Sequence, residues 1–380
     1  MKTVSVLGST GSIGQSTVDL LRGGDYHVKA LTAHRNVGLL AEQAKLLGAE
    51  YAVIANEELY GELKAALAGT NVKVEAGAQA VVDAAGLGAD WTMAAIVGAA
   101  GVSATLAAIR QGKTVALANK ESLVCAGDFM MAAVREYGAT LLPVDSEHNA
   151  VFQVFDPARR GIRRIILTAS GGPFLRRTRA DLAGITPAEA IRHPTWAMGA
   201  KISVDSATMM NKSLEIIEAA YLFDLSSEQI DVLIHPQSTV HSMVEYIDGS
   251  VLAQLGAPDM RTPIAHTLAF PDRMKTTGAA LDLTKNMNLS FEPIDTNRFI
   301  AVNLARAALK SGGGAPTILN AANEVAVAAF LDGKLGFDRI EAIAAETLAR
   351  LTPPAPAGID DIFLIDEDAR RIASAAVAGV

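Results

Sequence analysis

The chain has 380 residues, of which 50% are hydrophobic and 19% charged, a composition typical of a folded protein with more than one domain. Its formal net charge of −8 offers no basic surface to nucleic acid or anionic lipid, so we expect neither as a partner. The single cysteine, Cys125, excludes an intramolecular disulfide, and with no leader sequence and no apolar run of about 18 residues it predicts a cytoplasmic protein.

The first predicted element is a strand over residues 3–7, and a glycine-rich turn follows it directly. Gly8, Gly11 and Gly14 lie between this strand and a helix that we expect to end near residue 23. Glycines at this spacing permit a tight turn, a close approach of backbone N–H groups to a pyrophosphate, and close packing of helix on strand. Because the motif has the strand and the helix that the fingerprint requires, it predicts a dinucleotide-binding unit.

The second predicted strand, residues 27–32, leads into His34, Arg35 and Asn36. NAD-binding units carry an acidic residue here to hold the ribose 2′-hydroxyl, whereas an arginine accommodates the 2′-phosphate of NADP. Arg35 therefore predicts NADP as the cofactor. The alternative is that Arg35 is an ordinary surface residue of a loop.

Strands and helices continue to alternate as far as residue 144, which predicts a Rossmann-like parallel sheet. The further strands are expected over residues 51–54, 72–74, 91–97, 114–118 and 141–144. Asn119, Lys120, Glu121 and Ser122 follow one of these strands directly. Open α/β sheets bind ligands at the carboxyl edge of their strands, so Lys120 and Glu121 are candidate site residues.

Two carboxylates follow the last strand of this sheet. Asp145 and Glu147 are two residues apart, and in an extended backbone their side chains would point the same way. Two converging carboxylates indicate a site for a hard divalent cation. The alternative is that Asp145 caps a helix beginning near Asn149, and that Glu147 is solvated.

The composition changes after about residue 150. A strand over residues 162–168 precedes Gly171, Gly172 and Pro173, and the polar stretch from there to Gly199 shows little periodicity. Long structureless segments inside compact domains are usually functional, and glycines at both ends could act as hinges. We interpret residues 170–199 as a lid.

The most informative stretch is 193–218, whose second half predicts an amphipathic helix. Its apolar stripe comprises Met210, Leu214, Ile217 and Tyr221. The opposite face carries an amide, an ammonium and a carboxylate, from Asn211, Lys212 and Glu215. Asp205 or Ser206 could cap the start of this helix. An ordinary solvated polar face is the alternative interpretation.

Three more strands are expected over residues 231–234, 242–246 and 251–255, and helices are expected over 296–309, 316–332, 337–351 and 367–378. The fold class is therefore α/β, with a Rossmann-like domain at 1–144 and a central α/β catalytic domain at 145–260 that contains the lid. A proline-containing connecting segment at 261–295 and a helical domain at 296–380 complete the chain. Asn320, Asn323 and Glu324 could belong to a site, but capping and helix-end contacts would explain them as well.

Several long motifs resemble those of the 1-deoxy-D-xylulose 5-phosphate reductoisomerase family. They include GSTGSIGQST at 8–17, ANKESLV at 118–124, LLPVDSEHNA at 141–150, ASGGPF at 169–174, RHPTWAMGAKISVDSATMMNKSLEIIEA at 192–219, HPQSTVHSMV at 235–244, LGAPDMRTPIAHTLAFP at 255–271 and NAANEVAVAAF at 320–330. The resemblance covers nearly the whole chain. It implies an NADPH-dependent homodimeric enzyme that uses Mn²⁺ or Mg²⁺, rearranges 1-deoxy-D-xylulose 5-phosphate, and reduces the resulting aldehyde to 2-C-methyl-D-erythritol 4-phosphate for isoprenoid biosynthesis.

The resemblance also implies roles for individual residues. The metal ligands would be Asp145, Glu147 and Glu215. The phosphate site would be Ser170, Ser206, Asn211 and Lys212, and the sugar hydroxyls would meet Lys120, Ser146 and His193. The catalytic groups would be Lys120, Glu147, His193 and Glu215, with Glu147 and Glu215 also in contact with substrate. NADPH would contact Thr10, Gly11, Ser12, Ile13, His34, Arg35, Asn36, Asn119, Glu121 and Gly199.

Two other functions fit parts of the pattern. An NADP-dependent reductase of the semialdehyde dehydrogenase type needs a thiolate nucleophile, for which Cys125 is the candidate, although its neighbours Val124 and Ala126 favour a buried thiol. An NADP-binding sensor without turnover is the second. The acidic residues and the lid argue against a sensor.

Overall fold

The structure is a computed structural model that describes residues 1–193, 196, 198–285, 287–352 and 354–379. By its internal contacts the chain divides into two compact units. The first unit comprises residues 1–122, 128–149 and 259–279, and the second comprises 123–127, 150–258 and 280–380. The three domains and the connecting segment expected from the sequence divide the chain differently, and their boundaries stay a prediction.

The described strands are β1 (Lys2–Leu7), β2 (Tyr26–Ala33), β3 (Tyr51–Ile54), β4 (Lys73–Ala76), β5 (Trp91–Ala94), β6 (Thr114–Leu117), β7 (Thr140–Pro143), β8 (Ile162–Ala169), β9 (Ile230–Ile234), β10 (Val240–Tyr246), β11 (Val251–Leu255) and β12 (Glu292–Pro293). The described α-helices are α1 (Ser12–Leu21), α2 (Val37–Leu47), α3 (Tyr60–Ala66), α4 (Ala78–Ala85), α5 (Val102–Ile109), α6 (Lys120–Tyr137), α7 (Ser146–Val154), α8 (Pro187–Ala190), α9 (Ala200–Thr208), α10 (Met210–Phe223), α11 (Arg261–Ala269), α12 (Ala301–Ser311), α13 (Ala315–Leu331), α14 (Ile340–Arg350) and α15 (Ile359–Ala378).

The first unit is built on a parallel sheet with the strand order β4-β3-β2-β1-β5-β6-β7. Its central strands are buried on both faces, as the apolar runs of the sequence predict, with Val4, Val6 and Trp91 fully covered. Parallel strands bring their carboxyl ends to one edge. The glycine turn after β1, Arg35 after β2, Lys120 after β6 and Asp145 after β7 therefore belong to the same edge of this sheet.

The expected connecting segment at 261–295 begins with an ordered helix instead. Helix α11 buries Ile264, Ala265 and Leu268 in the core of the first unit. Pro263 falls in the first turn, where a missing N–H group costs no helical hydrogen bond. The prolines of this stretch predicted only a connecting segment. Contacts between the apolar face of α11 and the core make its first part a helix.

The second unit contains a mixed sheet with the order β11-β10-β8-β9-β12. Strand β8 is parallel to β9 and antiparallel to β10. Ile216 and Ala219 of α10 pack on this sheet in a core that includes Leu167 and Val232. The other side of α10 packs on the C-terminal helices.

The predicted apolar stripe of α10 is confirmed. Met210, Leu214 and Ile217 are fully buried in a core shared with Leu319 and Phe330 of α13, and Tyr221 packs against the same core. The C-terminal helices also form as expected. Helix α15 begins earlier than the sequence suggested, at Ile359.

The capping prediction for this region was wrong. Asp205 and Ser206 lie inside a separate helix, α9, because Met209 adopts a left-handed conformation with φ of 63° and divides α9 from α10. The Thr208 hydroxyl accepts a hydrogen bond from the Met210 N–H group at 3.3 Å, which satisfies one backbone donor at the break.

The predicted lid is not structureless. It contains a short 3₁₀ helix, Arg179–Leu182, and helix α8, each begun by a capping box. Phe174 and Ile185 are buried in the core of the second unit. Three positions of the lid, Pro194, Thr195 and Ala197, lie outside the described residues. Among the helices that the structure describes, none combines the length and apolar character that a membrane span needs.

Candidate active site

The glycine turn after β1 has the geometry of a phosphate-binding loop. Gly8 has φ of 85°, and a Cβ atom there would lie 2.6 Å from the Ala95 carbonyl oxygen. A Cβ atom on Gly14 would lie 2.3 Å from the Gly8 oxygen. Helix α1 begins at Ser12 with neither a side-chain cap nor an acidic residue in its first turn. Its first N–H groups and the positive end of its dipole therefore suit a pyrophosphate.

The loop after β2 presents exposed polar residues beside that turn, because β2 pairs with β1. His34, Arg35 and Asn36 are all exposed. The Asn36 side chain also caps α2, since it accepts a hydrogen bond from Leu39 N at 3.2 Å. Arg35 is thus an exposed basic residue after β2, as expected for an NADP-binding unit.

Asn119 has a structural role that the sequence did not reveal. It is buried and caps α6, accepting a hydrogen bond from Ser122 N at 2.6 Å and donating one to Gly98 O at 3.0 Å. Its amide therefore ties the loop after β5 to the start of α6. Glu121, in the first turn of α6, is buried.

The acidic residues after β7 do not lie on extended backbone, so that premise was wrong. Helix α7 begins at Ser146 and places Glu147 in its first turn. Asp145 Oδ1 accepts a long hydrogen bond from Glu147 N at 3.4 Å, and Ser146 Oγ donates to Glu147 Oε2 at 2.7 Å. Lys120, itself buried, forms an ion pair of 2.5 Å with Asp145. The helix start, rather than strand alternation, holds these side chains together.

The polar face of α10 is buried, which excludes the solvated-face interpretation. Lys212 and Glu215 are 3% and 0% exposed, and their side chains form an ion pair. Asn211 also donates to Glu215, with 2.5 Å between Nδ2 and Oε1. Charges removed from water need such partners, since an isolated buried charge is costly. Because both charges are buried and paired, this face of α10 is a candidate site.

A hydrogen bond between Ser170 and His193 connects the start of the segment 170–199 to a residue near its end. His193 Nδ1 accepts a hydrogen bond from Trp196 N at 2.9 Å, so its Nε2 carries the proton that it donates to Ser170 Oγ at 2.9 Å. Partial burial lowers the pKa of His193, which favours this neutral form. Gly172 N donates to the same Ser170 oxygen at 3.2 Å.

Asp205 and Asn323 form a buried contact that the sequence did not predict. Asp205 is buried in α9, between Lys201 Nζ at 2.9 Å and the amide Nδ2 of Asn323 at 2.8 Å. Asn323 lies in the middle of α13, so capping and helix-end contacts do not explain it. The available signal was a pair of amides, Asn320 and Asn323, at helical spacing in a helix whose other residues are mostly apolar. This network anchors α9, which carries Ser206 and starts directly after the exposed Gly199.

Cys125 lacks the surroundings of a catalytic nucleophile. The residue is buried, and its sulfur accepts a weak hydrogen bond from Asn320 at 3.6 Å. Thr317 donates to its backbone carbonyl at 3.0 Å. A thiol enclosed in this way is inert toward substrate, so the semialdehyde dehydrogenase interpretation has no support.

The fold and the polar clusters define a class of protein. A Rossmann-like sheet with a glycine turn and a basic residue after β2, together with carboxylates paired to buried lysines, is typical of an NADP-dependent oxidoreductase that also binds a divalent cation. Family models agree. The model of 1-deoxy-D-xylulose 5-phosphate reductoisomerase matches residues 4–127, that of its C-terminal domain matches 141–223, and that of the DXP reductoisomerase C-terminal domain matches 255–372. The chain belongs to the 1-deoxy-D-xylulose 5-phosphate reductoisomerase family.

Individual relatives are similar over almost their whole length. The reductoisomerase of Zymomonas mobilis is 60% identical over 98% of this chain and 97% of its own. That of Rhodospirillum centenum is 61% identical over 100% of this chain and 95% of its own. A solved structure of the Zymomonas mobilis enzyme in complex with NADPH covers 100% of both chains, with 57% identity and a TM-score of 0.95. A reductoisomerase in complex with NADPH, fosmidomycin and magnesium covers 100% of this chain and 98% of its own, with 42% identity and a TM-score of 0.94.

Proposed function

We propose that the chain converts 1-deoxy-D-xylulose 5-phosphate to 2-C-methyl-D-erythritol 4-phosphate by a skeletal rearrangement followed by reduction with NADPH, in the non-mevalonate isoprenoid pathway. One observation carries the proposal beyond family membership. In each unit a carboxylate assigned to the metal is paired with a lysine assigned to the substrate, as Asp145 with Lys120 and Glu215 with Lys212. Such pairs hold each carboxylate in a defined position, and carboxylate oxygens are the donors that a hard divalent cation takes.

The proposed metal ligands are Asp145, Glu147 and Glu215. Their donor atoms are all carboxylate oxygens, which suit Mg²⁺ and Mn²⁺. When bound, the cation supplies Lewis-acid polarisation of the substrate carbonyl and stabilises developing negative charge on oxygen. Because Glu215 has Lys212 and Asn211 as partners, metal binding there would free both side chains for the substrate.

The proposed phosphate site consists of Ser170, Ser206, Asn211 and Lys212. A phosphate remote from the reacting carbons provides binding energy that can be used to orient the substrate. Lys212 supplies the positive charge, and the hydroxyls and amide supply neutral donors. The anchoring of α9 through Asp205 and Asn323 supports a fixed position for Ser206.

Lys120, Ser146 and His193 are proposed to hold the sugar hydroxyls. His193 is neutral with its proton on Nε2, so it can donate one hydrogen bond without adding charge. Lys120 can donate a proton or a hydrogen bond to a substrate oxygen, since its ion pair with Asp145 holds the ammonium group in position. Lys120, Glu147, His193 and Glu215 are therefore the proposed catalytic residues.

NADPH is proposed to bind at the carboxyl edge of the parallel sheet, where it supplies the hydride for the reduction. The glycine turn and the start of α1 hold the pyrophosphate, and Arg35 holds the 2′-phosphate. The full set of proposed contacts is Thr10, Gly11, Ser12, Ile13, His34, Arg35, Asn36, Asn119, Glu121 and Gly199. Among these, Asn119 would act chiefly through the loop that its side chain holds.

The segment 170–199 is proposed to close over the bound substrate. Gly171 and Gly172 have φ of 83° and 66°, which permits a change of direction at its start. Closure would exclude water and protect the aldehyde until it is reduced.

The working form is proposed to be a cytoplasmic homodimer. Strand β11 lies at the edge of its sheet, and Ile247, Val251 and Leu252 on or beside it are exposed. An edge strand with exposed apolar residues favours pairing with another copy. The single cysteine is compatible with a reducing compartment. Light scattering of the purified chain should give twice the chain mass, and a monomer at micromolar concentration would contradict the dimer.

The decisive test is an assay of NADPH oxidation with 1-deoxy-D-xylulose 5-phosphate and Mn²⁺ or Mg²⁺. We expect one NADPH consumed per substrate, formation of the branched tetritol phosphate by mass spectrometry, and loss of turnover after removal of the metal with a chelator. Binding of NADPH without product in the presence of metal and substrate would favour a sensor instead.

A further inference from the structure

Two buried side chains support the glycine turn from inside the first unit. Thr32 of β2 accepts a hydrogen bond from Gly8 N on its Oγ1 at 2.9 Å, and its backbone oxygen accepts one from Ser9 N at 2.8 Å. Gln43 of α2 donates from Nε2 to Ser9 O at 3.0 Å. The backbone N–H groups of Gly8 and Ser9 and the carbonyl of Ser9 are thus held by one strand and one helix.

The amide of Gln43 lies on the buried side of α2, where its neighbours Leu40 and Ala44 belong to the core. Gln43 is 3% exposed, and its Oε1 has no hydrogen-bond partner among the described residues. A buried amide with one unsatisfied group is less favourable than an apolar side chain of similar size. Packing alone would therefore favour leucine at position 43, which leaves the bond to Ser9 as the physical reason for glutamine.

That bond determines where the next backbone N–H group points. The peptide unit between Ser9 and Thr10 is planar, so its C=O and N–H groups point in opposite directions. With the Ser9 carbonyl directed at Gln43, the Thr10 N–H group is directed away from α2 and the core. Thr10 is among the proposed cofactor contacts, and outward N–H groups of such a turn are those that meet a pyrophosphate.

We infer that Gln43 and Thr32 are positioning residues for NADPH, which hold the turn at residues 8–10 in its phosphate-binding conformation before the cofactor arrives. The inference rests on the proposed use of NADPH. Preorganisation of this kind raises affinity because the turn need not be ordered on binding.

The test compares the affinity for NADPH, measured by fluorescence titration of the full chain, with steady-state kinetics. Gln43→Leu and Thr32→Val should each raise the Kd and the KM for NADPH about tenfold, the effect of one lost hydrogen bond. The kcat at saturating NADPH and the KM for the pentulose phosphate should stay within about twofold of the parent values. Thr32→Ser, which keeps the acceptor oxygen, should restore the parent affinity.

Thr3→Val is the control, because Thr3 makes a partly buried hydrogen bond of 2.7 Å to Asp90 at the opposite end of β1. It should lower the melting temperature without changing the Kd for NADPH. The inference is overturned if Gln43→Leu and Thr32→Val bind NADPH as tightly as the parent, or if Thr3→Val weakens binding equally. If either Gln43→Leu or Thr32→Val fails to fold, the Kd for NADPH of the other variant and of Thr32→Ser tests the inference. A parent chain that does not bind NADPH would overturn the proposed function itself.

Discussion

Arg35 lies exposed directly after β2, next to the strand that carries the glycine turn. If it holds the 2′-phosphate, Arg35→Asp should raise the KM for NADPH at least about tenfold, because a carboxylate would repel the phosphate. The KM for NADH should change little or fall. Arg22→Asp, an exposed arginine after α1, is the charge-matched control and should keep the parent preference. Unchanged discrimination between the two nucleotides would contradict this role.

Glu215 and Lys212 allow the metal and phosphate sites to be tested separately. Glu215→Gln removes one anionic ligand and should weaken Mn²⁺ binding at least about tenfold by isothermal titration, together with turnover. Glu228→Gln, which changes an exposed glutamate of the second unit, is the comparison and should retain the affinity for Mn²⁺. NADPH binding should survive in both variants. Tight Mn²⁺ binding by Glu215→Gln would mean that the three-carboxylate site is wrong.

Lys212→Ala should show the complementary effect. A hydroxamate joined by a short spacer to a phosphonate should inhibit the parent at low concentration, because it offers a bidentate oxygen chelator and a phosphate-like group. The variant should lose about tenfold or more in affinity for this molecule while its affinity for Mn²⁺ changes less than threefold. Equal inhibition of parent and variant would remove Lys212 from the phosphate site.

At the scale of elements, the segment 170–199 offers a fluorescent reporter. The chain has two tryptophans, Trp196 in this segment and Trp91, which is fully buried in β5. In Trp91→Phe the only remaining tryptophan is Trp196. Quenching of Trp196 by acrylamide should decrease when a phosphonate ligand binds, because closure covers the ring. The reverse variant, Trp196→Phe, should show little change in the quenching of Trp91. Equal quenching of Trp196 with and without ligand would exclude closure.

Short capping boxes and two buried apolar residues within this segment limit how it can move. Thr178 and Thr186 begin local helices, and Phe174 and Ile185 are anchored in the core. Closure is therefore expected as a movement of small ordered pieces about Gly171 and Gly172 rather than the ordering of a random loop.

At the scale of the whole molecule, His266 links stability to pH. Burial, with a smaller contribution from the charge of Arg273, lowers the pKa of His266 from 6.5 to about 4 in the folded chain. Between these values the unfolded chain binds a proton that the folded chain does not, so stability falls as the pH falls from 6.5 toward 4. Asn149 donates to His266 Nδ1 at 3.1 Å, a bond that also requires the neutral ring.

The measurement is urea unfolding near neutral pH and near pH 5. When the pH falls from neutral to about 5, the free energy of unfolding of the parent should decrease by about 1 to 2 kcal/mol more than that of His266→Gln, after allowance for solvent screening. His34→Gln removes an exposed histidine of the same unit. Its free energy of unfolding should decrease as much as that of the parent. The same loss in His266→Gln as in the parent would show that other groups cause the dependence.

The sequence by itself determined the features that depend on local chemistry and spacing. The glycine turn, the basic residue after β2 and the apolar stripe of α10 are each encoded within about a dozen neighbouring residues, and the structure contains all three. The long motifs also sufficed to identify the family. The boundaries of most strands followed within a few residues, whereas the starts of α12 and α15 differ from the predicted ones by five and eight residues.

Only the tertiary structure decided which polar groups are buried and how they pair. The break at Met209, the burial of Lys212 with Glu215, and the contact of Ser170 with His193 depend on residues distant in sequence or on packing from several sides. Periodicity reports which face of a helix is apolar, but it cannot tell whether the polar opposite face meets water or protein. For that reason the support of the glycine turn by Gln43, 34 residues along the chain, became visible only in the fold.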